Sequence, residues 1–164
     1  VVEWQKPLPL WAWSTVLDSQ GNIVVGGGAG NNRGVARINA LTGATMWMRV
    51  LPLLSSANSE LISAVQSSAD GNILAASGDG YDSQGLAAIA LLNGAILWQT
   101  EAVPAAISAA PNQVLGSSYY PVGVVEGPDR NVFFSGLSDP YPRTWTVNKV
   151  TGSFADGIFA NGFE

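Results

Sequence analysis

Residues 18–25 read DSQGNIVV, and residues 35–47 read VARINALTGATMW. Together they make one phrase: a turn of the Asp-x-x-Gly-Asn type, an apolar run, a Gly-rich stretch, a second apolar run, and a Thr-Gly pair ahead of Trp47. The phrase returns at residues 70–98, ending at Trp98, and in a looser form without a tryptophan at residues 129–152. Repetition of this length indicates one supersecondary unit used three times.

Each unit predicts four strands, because its apolar runs are short, rich in β-branched or small residues, and bounded by Gly, Asn and Asp. No segment combines helical apolar spacing with helix caps, so we expect little helix. The predicted strands are Ser14–Leu17, Asn22–Gly26, Val35–Asn39, Thr45–Val50, Ile62–Gln66, Asn72–Ala76, Leu86–Ala90, Ala95–Thr100, Val122–Glu126, Asn131–Ser135, Thr144–Val147 and Phe154–Phe159.

The predicted architecture is all-β: three four-stranded antiparallel units of the kind used as propeller blades, preceded by an orphan outer strand. The whole chain, residues 1–164, is expected to form a single repeat domain. The orphan strand covers residues 1–9, and the units cover approximately residues 10–52, 53–104 and 105–164.

The N-terminal residues 1–9 (VVEWQKPLP) match the stretches around Trp47 and Trp98, which predicts an outer strand whose own unit is missing. At the other end, the last predicted strand is interrupted by Asp156 and Gly157. Unpaired strand edges are templates for strand addition. Donation of the N-terminal strand within one chain would close the molecule, and donation between chains would extend an assembly. Because closure across three units is awkward, the sequence favours self-association head to tail, into a homo-oligomer or filament, through an interface that contains Val2, Trp4, Phe154 and Phe159.

Residues 37–47 (RINALTGATMW) resemble the repeat of quinoprotein-like β-propellers, in which a tryptophan after a Thr-Gly pair docks on the next blade. Residues 88–98 keep the Ala, Gly and Trp of that repeat, and residues 151–152 keep only Thr-Gly. The resemblance implies inter-blade contacts at Trp47, Trp98, Gly43, Gly94 and Gly152. Since a buried indole must satisfy its N–H, we expect each tryptophan to donate to the backbone.

Composition excludes several classes of function. The chain is 47% hydrophobic and 12% charged, with a net charge of -5, so it is a folded protein without a basic stripe for nucleic acid. It has no Cys and no His, which removes disulfides, thiolate zinc sites and the usual general base. No apolar run is long enough to span a membrane. The balance is typical of an exported protein, extracellular or at the cell surface, with the periplasm as the alternative.

Two stretches invite a chemical interpretation. The Gly-rich run at residues 26–34 suggests a phosphate loop, but such a loop opens a helix and a strand follows here, so a flexible loop between strands is favoured. Asp79 and Asp82, with Asp70 nearby, offer oxygen ligands, yet calcium needs more of them, and a polar loop is favoured. We therefore expect no catalytic residue, no cofactor and no metal.

The leading functional hypothesis is a non-catalytic, extracellular structural or assembly protein. One alternative is a fragment of a larger quinoprotein-like propeller, either a dehydrogenase with a quinone and a metal at the ring centre or an assembly scaffold. Another is a carbohydrate- or protein-binding module, with a surface glycan as its partner, that uses the aromatic residues Trp11, Trp13, Tyr119, Tyr120, Tyr141 and Trp145.

Overall fold

The computed structural model describes residues 2–53, 61–78, 84–101, 121–129, 131–138 and 144–150, and over these ranges the chain is all-β, with no helix. Its strands form three antiparallel sheets in which strand order follows chain order. The strands are, for the first sheet, β1 (Trp11–Leu17), β2 (Ile23–Ala29), β3 (Asn32–Ile38) and β4 (Thr45–Leu51); for the second, β5 (Leu61–Ser67), β6 (Ile73–Gly78), β7 (Gln84–Ile89) and β8 (Ile96–Glu101); and for the third, β9 (Pro121–Glu126), β10 (Val132–Ser138) and β11 (Thr144–Val150).

The repeated Asp-Gly-Asn phrase forms the turn between the first two strands of a sheet. In the first sheet the Asp18 carboxylate accepts hydrogen bonds from the backbone N–H of Gln20 and of Asn22, at 2.8 and 2.9 Å. Gly21 takes a φ of 76° and Gly71, in the second sheet, a φ of 83°. Only glycine adopts this left-handed backbone conformation without strain, so these glycines fix the turns.

Adjacent sheets pack face to face, because successive side chains of a strand point to opposite faces. On β2, Val24 faces the second sheet and Val25 faces away from it; on β6, Ile73 faces the first sheet and Leu74 the third. The cluster between the first and second sheets contains Val24, Val35, Leu51, Ile62, Val65, Ile73, Ala75, Ala87, Ile89 and Leu91. The cluster between the second and third contains Ala64, Leu74, Ala76, Leu86, Ala88, Trp98, Val124 and Val132.

Cross-strand register aligns the three sheets residue by residue. Ile23 pairs with Ile38 in the first sheet, Ile73 with Ile89 in the second, and Val132 with Val150 in the third. One residue earlier on the third strand, the equivalent positions are Arg37, Ala88 and Lys149. The three sheets thus share the same cross-strand register at these positions.

The prediction of a flexible loop over residues 26–34 is wrong. Residues 26–29 belong to β2 and residues 32–34 to β3, and only Gly30 and Asn31 form the turn. Packing explains the glycines. A Cβ on Gly26 would lie 2.5 Å from Cγ2 of Ile62 and 2.7 Å from Cγ1 of Val65. Glycine is therefore needed for the second sheet to approach β2.

The orphan outer strand predicted over residues 1–9 is also wrong for the chain by itself, because residues 2–8 have no regular secondary structure. A strand needs a hydrogen-bonded neighbour, and none of the described strands pairs with this segment. Its side chains instead pack on the outer face of the first sheet, where Trp4, Leu8 and Leu10 join Val25 and Ala36.

Other boundaries shift by a few residues, and two predicted features lie outside the described residues. β1 begins at Trp11 rather than Ser14, and β11 continues to Val150 rather than ending at Val147. The predicted last strand, Phe154–Phe159, and Gly152 fall in the part of the chain that is not described. The described part of the third sheet consists of the three strands β9, β10 and β11.

Substitution of Gly26 by Ala tests the close approach of the first two sheets. The added methyl overlaps Ile62 and Val65, so we expect a loss of about 1–3 kcal/mol in the free energy of unfolding, measured by urea denaturation. Gly123→Ala is the matched control, because a Cβ at this strand position would meet only Oγ of Ser135, at 3.5 Å. Equal stability of the two variants would contradict the packing described.

Candidate functional site

The tryptophan of β4 joins the first sheet to the second. The indole Nε1–H of Trp47 donates to the backbone carbonyl of Leu91 at 2.8 Å. Its ring lies against Gly94, where a Cβ would come within 2.8 Å of Cε3 and 2.9 Å of Cδ2 of Trp47. Gly94 has a φ of 69°, so the turn conformation and the space for the ring both require glycine.

Trp4 makes the same contact one sheet earlier. Its Nε1–H donates to the carbonyl of Ala40 at 3.0 Å, and its ring lies against Gly43, whose φ is 68°. Ala40 and Gly43 occupy the positions in the β3–β4 turn that Leu91 and Gly94 occupy in the β7–β8 turn. The N-terminal segment thus contacts the first sheet of its own chain in the way that β4 contacts the second sheet.

The remaining predicted contact residues are placed as follows. Trp98, on β8, is buried in the apolar cluster between the second and third sheets, together with Leu74 and Val124. Val2 is 80% exposed at the start of the N-terminal segment. Gly152, Phe154 and Phe159 lie outside the described residues. The structure therefore brings Trp4 to Gly43 and Trp47 to Gly94.

A buried ion pair reinforces the junction of the first two sheets. Nε of Arg37, on β3, lies 2.6 Å from a carboxylate oxygen of Asp18, and both side chains are almost completely buried. Arg37 also donates from Nη2 to Oε1 of Gln20, at 2.8 Å, and from Nη1 to the carbonyl of Leu91, at 3.2 Å. The Leu91 carbonyl consequently accepts hydrogen bonds from both Trp47 and Arg37 of the first sheet.

Two opposing effects act on the Asp18 carboxyl. Burial raises its pKa, because the charged form loses water. The hydrogen bond from Arg37, those from the backbone N–H of Asn22 and Gln20, and the positive charge of Arg37 together outweigh burial and hold the pKa of Asp18 below its ordinary value. Asp18 is therefore a carboxylate whose ionised form is favoured by the fold.

Two more arginines link the same pair of sheets. Arg33, also on β3 and fully buried, donates to the carbonyl of Pro52 and, at 3.1 Å, to Oγ of Ser77 on β6. Arg49, on β4, donates from Nε to the carbonyl of Gly94 at 2.9 Å. Arg33 and Arg37 thus lie on either side of Val35 on the buried face of β3.

Sequence reasoning missed these arginines because it considered the basic residues only as a possible stripe for nucleic acid. A signal was present. Arg33, Val35 and Arg37 alternate on one strand, and alternate residues share a face, so burial of Val35 implies a buried position for both arginines. Their partners, Ser77 and the Leu91 carbonyl, are far away in sequence and leave no local trace.

One face of the first sheet packs against the second sheet, and its outer face points away from it. This outer face is covered less completely than the equivalent face of the second sheet. On the second sheet the apolar residues of this face, among them Ile73 and Ile89, are buried by the first sheet. On the first sheet the equivalent Ile23 is only partly buried, under Trp4, Leu8 and Leu10, and Leu17 of the same face is 62% exposed. We call this surface the free face of the first sheet.

A small cavity lies between the second and third sheets, and its volume of about 20 Å³ is enough for about one water molecule. Its walls include Ser68, Asp70, Leu74, Trp98, Glu126 and Val132. Ligand pockets for organic molecules usually hold about 300 Å³ or more, so this cavity does not suit a substrate or a quinone. Within the described ranges, no three acidic residues come together in a group that would hold a metal ion.

Among the described residues, no helix is long and apolar enough to cross a lipid bilayer.

Comparisons with known proteins find a likeness of fold. No model of a known protein family and no curated protein matches the chain. Among solved structures it is similar to a protein of unknown function from Bacteroides caccae, with 16% sequence identity and a TM-score of 0.52. The match covers 92% of this chain and 50% of the other, so the chain spans about half the length of that structure.

Replacement of Trp47 by Ala tests the contact between the first two sheets. It removes the ring from Gly94 and the hydrogen bond to Leu91, so we expect the free energy of unfolding to fall by about 3 kcal/mol, measured by urea denaturation. Trp11→Ala is the control, because Trp11 is 76% exposed and its loss should change stability by less than about 0.5 kcal/mol. If Trp47→Ala unfolds at the same urea concentration as the parent, the contact does not hold the sheets.

Asp18→Asn tests the buried ion pair. It leaves the Arg37 charge buried without its partner, so we expect a loss of about 3–5 kcal/mol at pH 7. In the parent, Asp18 binds a proton more weakly when folded than when unfolded, so its contribution is complete above its ordinary pKa of 3.8 and is lost as pH falls through the lower folded value. Urea denaturation between pH 7 and pH 2.5 should show this acid loss in the parent and a smaller one in Asp18→Asn. An equal acid loss in both would contradict the pairing.

Proposed function

We propose that this protein is a non-catalytic structural protein, located outside the cell, whose propeller-type sheets assemble head to tail with other copies of the chain. The propeller arrangement is part of the proposal, and its support is the repeated face-to-face packing of sheets and the resemblance of residues 37–47 to quinoprotein-like repeats. The extracellular location is supported by low charge and the lack of cysteine.

The observation that carries this proposal is the free face of the first sheet. Position by position it repeats the face of the second sheet that the first sheet buries: Ile23 corresponds to Ile73, Val25 to Ala75 and Ile38 to Ile89. The N-terminal segment buries Val25 and Ile38 but leaves Ile23 partly exposed and Leu17 largely exposed. An exposed apolar surface usually marks an interaction site, and another sheet of the same repeat is the partner whose apolar pattern matches it.

The distinctive polar residues also support a structural role. Arg37, Asp18, Arg33 and Arg49 all use their hydrogen bonds to join strands and sheets. Trp4 and Trp47 do the same with their indole N–H groups. The hydrogen bonds of these six described residues thus support the packing of strands and sheets.

A second candidate is a piece of a larger quinoprotein-like propeller, as a dehydrogenase or as an assembly scaffold. The match to the Bacteroides caccae structure favours it, because this chain spans only about half the length of that structure. In that case further sheets of the same polypeptide cover the free face. A third candidate, a module that binds a surface glycan, is favoured by the exposure of Trp11 and Trp13 on β1, at 76% and 61%.

A charged substitution on the free face tests the proposed assembly. Thr15 is exposed on this face, and the equivalent Val65 of the second sheet is buried against the first sheet. In sedimentation velocity at rising concentration, we expect the parent to form species larger than the 17.0 kDa chain, and Thr15→Lys to shift them towards 17.0 kDa. Leu92→Lys adds the same charge at an exposed turn of the second sheet and should sediment like the parent.

A parent protein that stays at 17.0 kDa at every concentration would contradict the assembly proposal, and so would a Thr15→Lys variant that assembles like the parent. Glycan-array binding that is lost in Trp11→Ala and Trp13→Ala, with no assembly in either state, would favour the binding module instead.

A further inference from the structure

We infer that residues 2–8 of one copy form the fourth strand of the third sheet of a second copy, in antiparallel pairing with β11, while Trp4 stays docked on its own first sheet. This inference rests on the proposed head-to-tail assembly and names the joint through which it takes place. The N-terminal segment is then a connector between two copies.

The side chains of the segment already occupy outer-strand positions. Trp4 and Leu8 are four residues apart, as are Trp47 and Leu51 of β4. Trp4 contacts Ala40 and Gly43 as Trp47 contacts Leu91 and Gly94. Leu8 packs on the free face of the first sheet, and Leu51 packs in the cluster between the first and second sheets. On the side that faces the first sheet, the side chains of the segment are thus placed like those of an outer strand.

The backbone of the segment lacks what β4 has. β4 is paired along its length with the third strand of its sheet, from Arg37 opposite Trp47 to Arg33 opposite Leu51. Residues 2–8 pair with none of the described strands. The segment has the side chains of an outer strand, but its backbone lacks a neighbouring strand. Strand addition would supply the missing backbone hydrogen bonds.

The third sheet offers such a strand. β11 is its third strand and lies at the edge of its described part. On the face away from the second sheet, Val125 is 53% exposed and Phe133 is half-buried. By cross-strand register, Val125, Phe133 and Val147 take the positions of Val16, Val24 and Val35.

Those three valines are the residues of β1, β2 and β3 that the first sheet packs against the second. Within one chain, the first sheet uses this surface to cover the second sheet. The third sheet has the same apolar pattern as that surface. Placed on the free face of a second copy, it meets Leu17 and Ile23, the apolar residues of that face that the docked N-terminal segment leaves largely or partly exposed. The occupant of the free face is accordingly a second copy of this chain.

The register of the joint follows from the pairing of β3 with β4. Ala36 lies opposite Met48, and Gly34 lies opposite Val50. Transfer of this pairing to the joint places Gln5 opposite Asn148 and Pro7 opposite Thr146. The Cα atoms of directly opposed residues in antiparallel strands are about 4.5–5.5 Å apart, which is within the range that a disulfide spans.

Disulfide trapping tests this register, and the chain suits it because it contains no cysteine. Gln5→Cys protein is mixed with ¹⁵N-labelled Asn148→Cys protein, oxidised, and analysed by mass spectrometry after circular dichroism has shown that both variants are folded. We expect a covalent dimer of one labelled and one unlabelled chain. Pro7→Cys mixed with Thr146→Cys is a second pair in the same register and should also cross-link.

Gln5→Cys mixed with Thr144→Cys is the control, because Thr144 lies four residues along β11 from Asn148, about 13 Å away. A cross-link in the control equal to that in the test pairs would overturn the register. A single chain that carries both Gln5→Cys and Asn148→Cys and yields only cross-linked monomer would show closure within one chain and would overturn the joint between copies.

Sedimentation of the same samples separates the two levels of the proposal. Assemblies larger than 17.0 kDa without a cross-link in either test pair would overturn the joint and leave head-to-tail assembly standing. A 17.0 kDa species without a cross-link would remove the proposed assembly as well.

Discussion

The fold depends on a repeated tryptophan contact: Trp47 reaches from the outer strand of the first sheet to a turn of the second, and Trp4 reaches from the N-terminal segment to the matching turn of the first sheet. At that turn the indole donates its N–H to a carbonyl, Ala40 for Trp4 and Leu91 for Trp47, and its ring covers a glycine. Gly43 and Gly94 meet two demands at once, because they have positive φ values that close the turn and no Cβ to displace the ring. The turn conformation and the docked tryptophan therefore depend on the same glycine, and a substitution at either glycine damages both.

Buried arginines make the first junction between sheets different from the second. In the register of the third strand of each sheet, Arg33 and Arg37 correspond to Gln84 and Ala88 of the second sheet. A buried ion pair adds little net stability compared with apolar packing, but a shifted register would leave its charge unpaired. The Arg37–Asp18 pair, which also binds the Leu91 carbonyl, thus fixes how the first sheet sits on the second. The second junction combines Trp98 and apolar contacts with a hydrogen bond from the backbone N–H of Ala69 to the carboxylate of Glu126, at 2.6 Å.

Local phrases in the sequence predicted the features that depend on near neighbours. The turn glycines, Gly21 and Gly71, and the antiparallel hairpins that they close follow from the Asp-Gly-Asn phrase and from short β-branched runs. The run at Gly26 was misread as a loop because glycine disfavours strands, and the reason for it, the approach of Ile62 and Val65, is distant in sequence. The sequence predicts a strand over residues 1–9 because they match the stretches around Trp47 and Trp98, but residues 2–8 pair with none of the described strands. The site residues divide in the same way: the Trp and Gly positions follow a local phrase, whereas the arginine contacts depend on tertiary structure.

The central claim is that sheets continue from one copy to the next through residues 2–8 and β11. Backbone hydrogen exchange of the assembled and the diluted protein tests it most directly, because amide protection reports hydrogen bonds of the strand and not merely proximity. The account predicts that peptides covering residues 2–8 and 144–150 gain protection together on assembly and lose it together on dilution, while peptides covering β6 and β7 stay protected in both states. Rapid exchange of residues 2–8 in protein that is demonstrably assembled would contradict it.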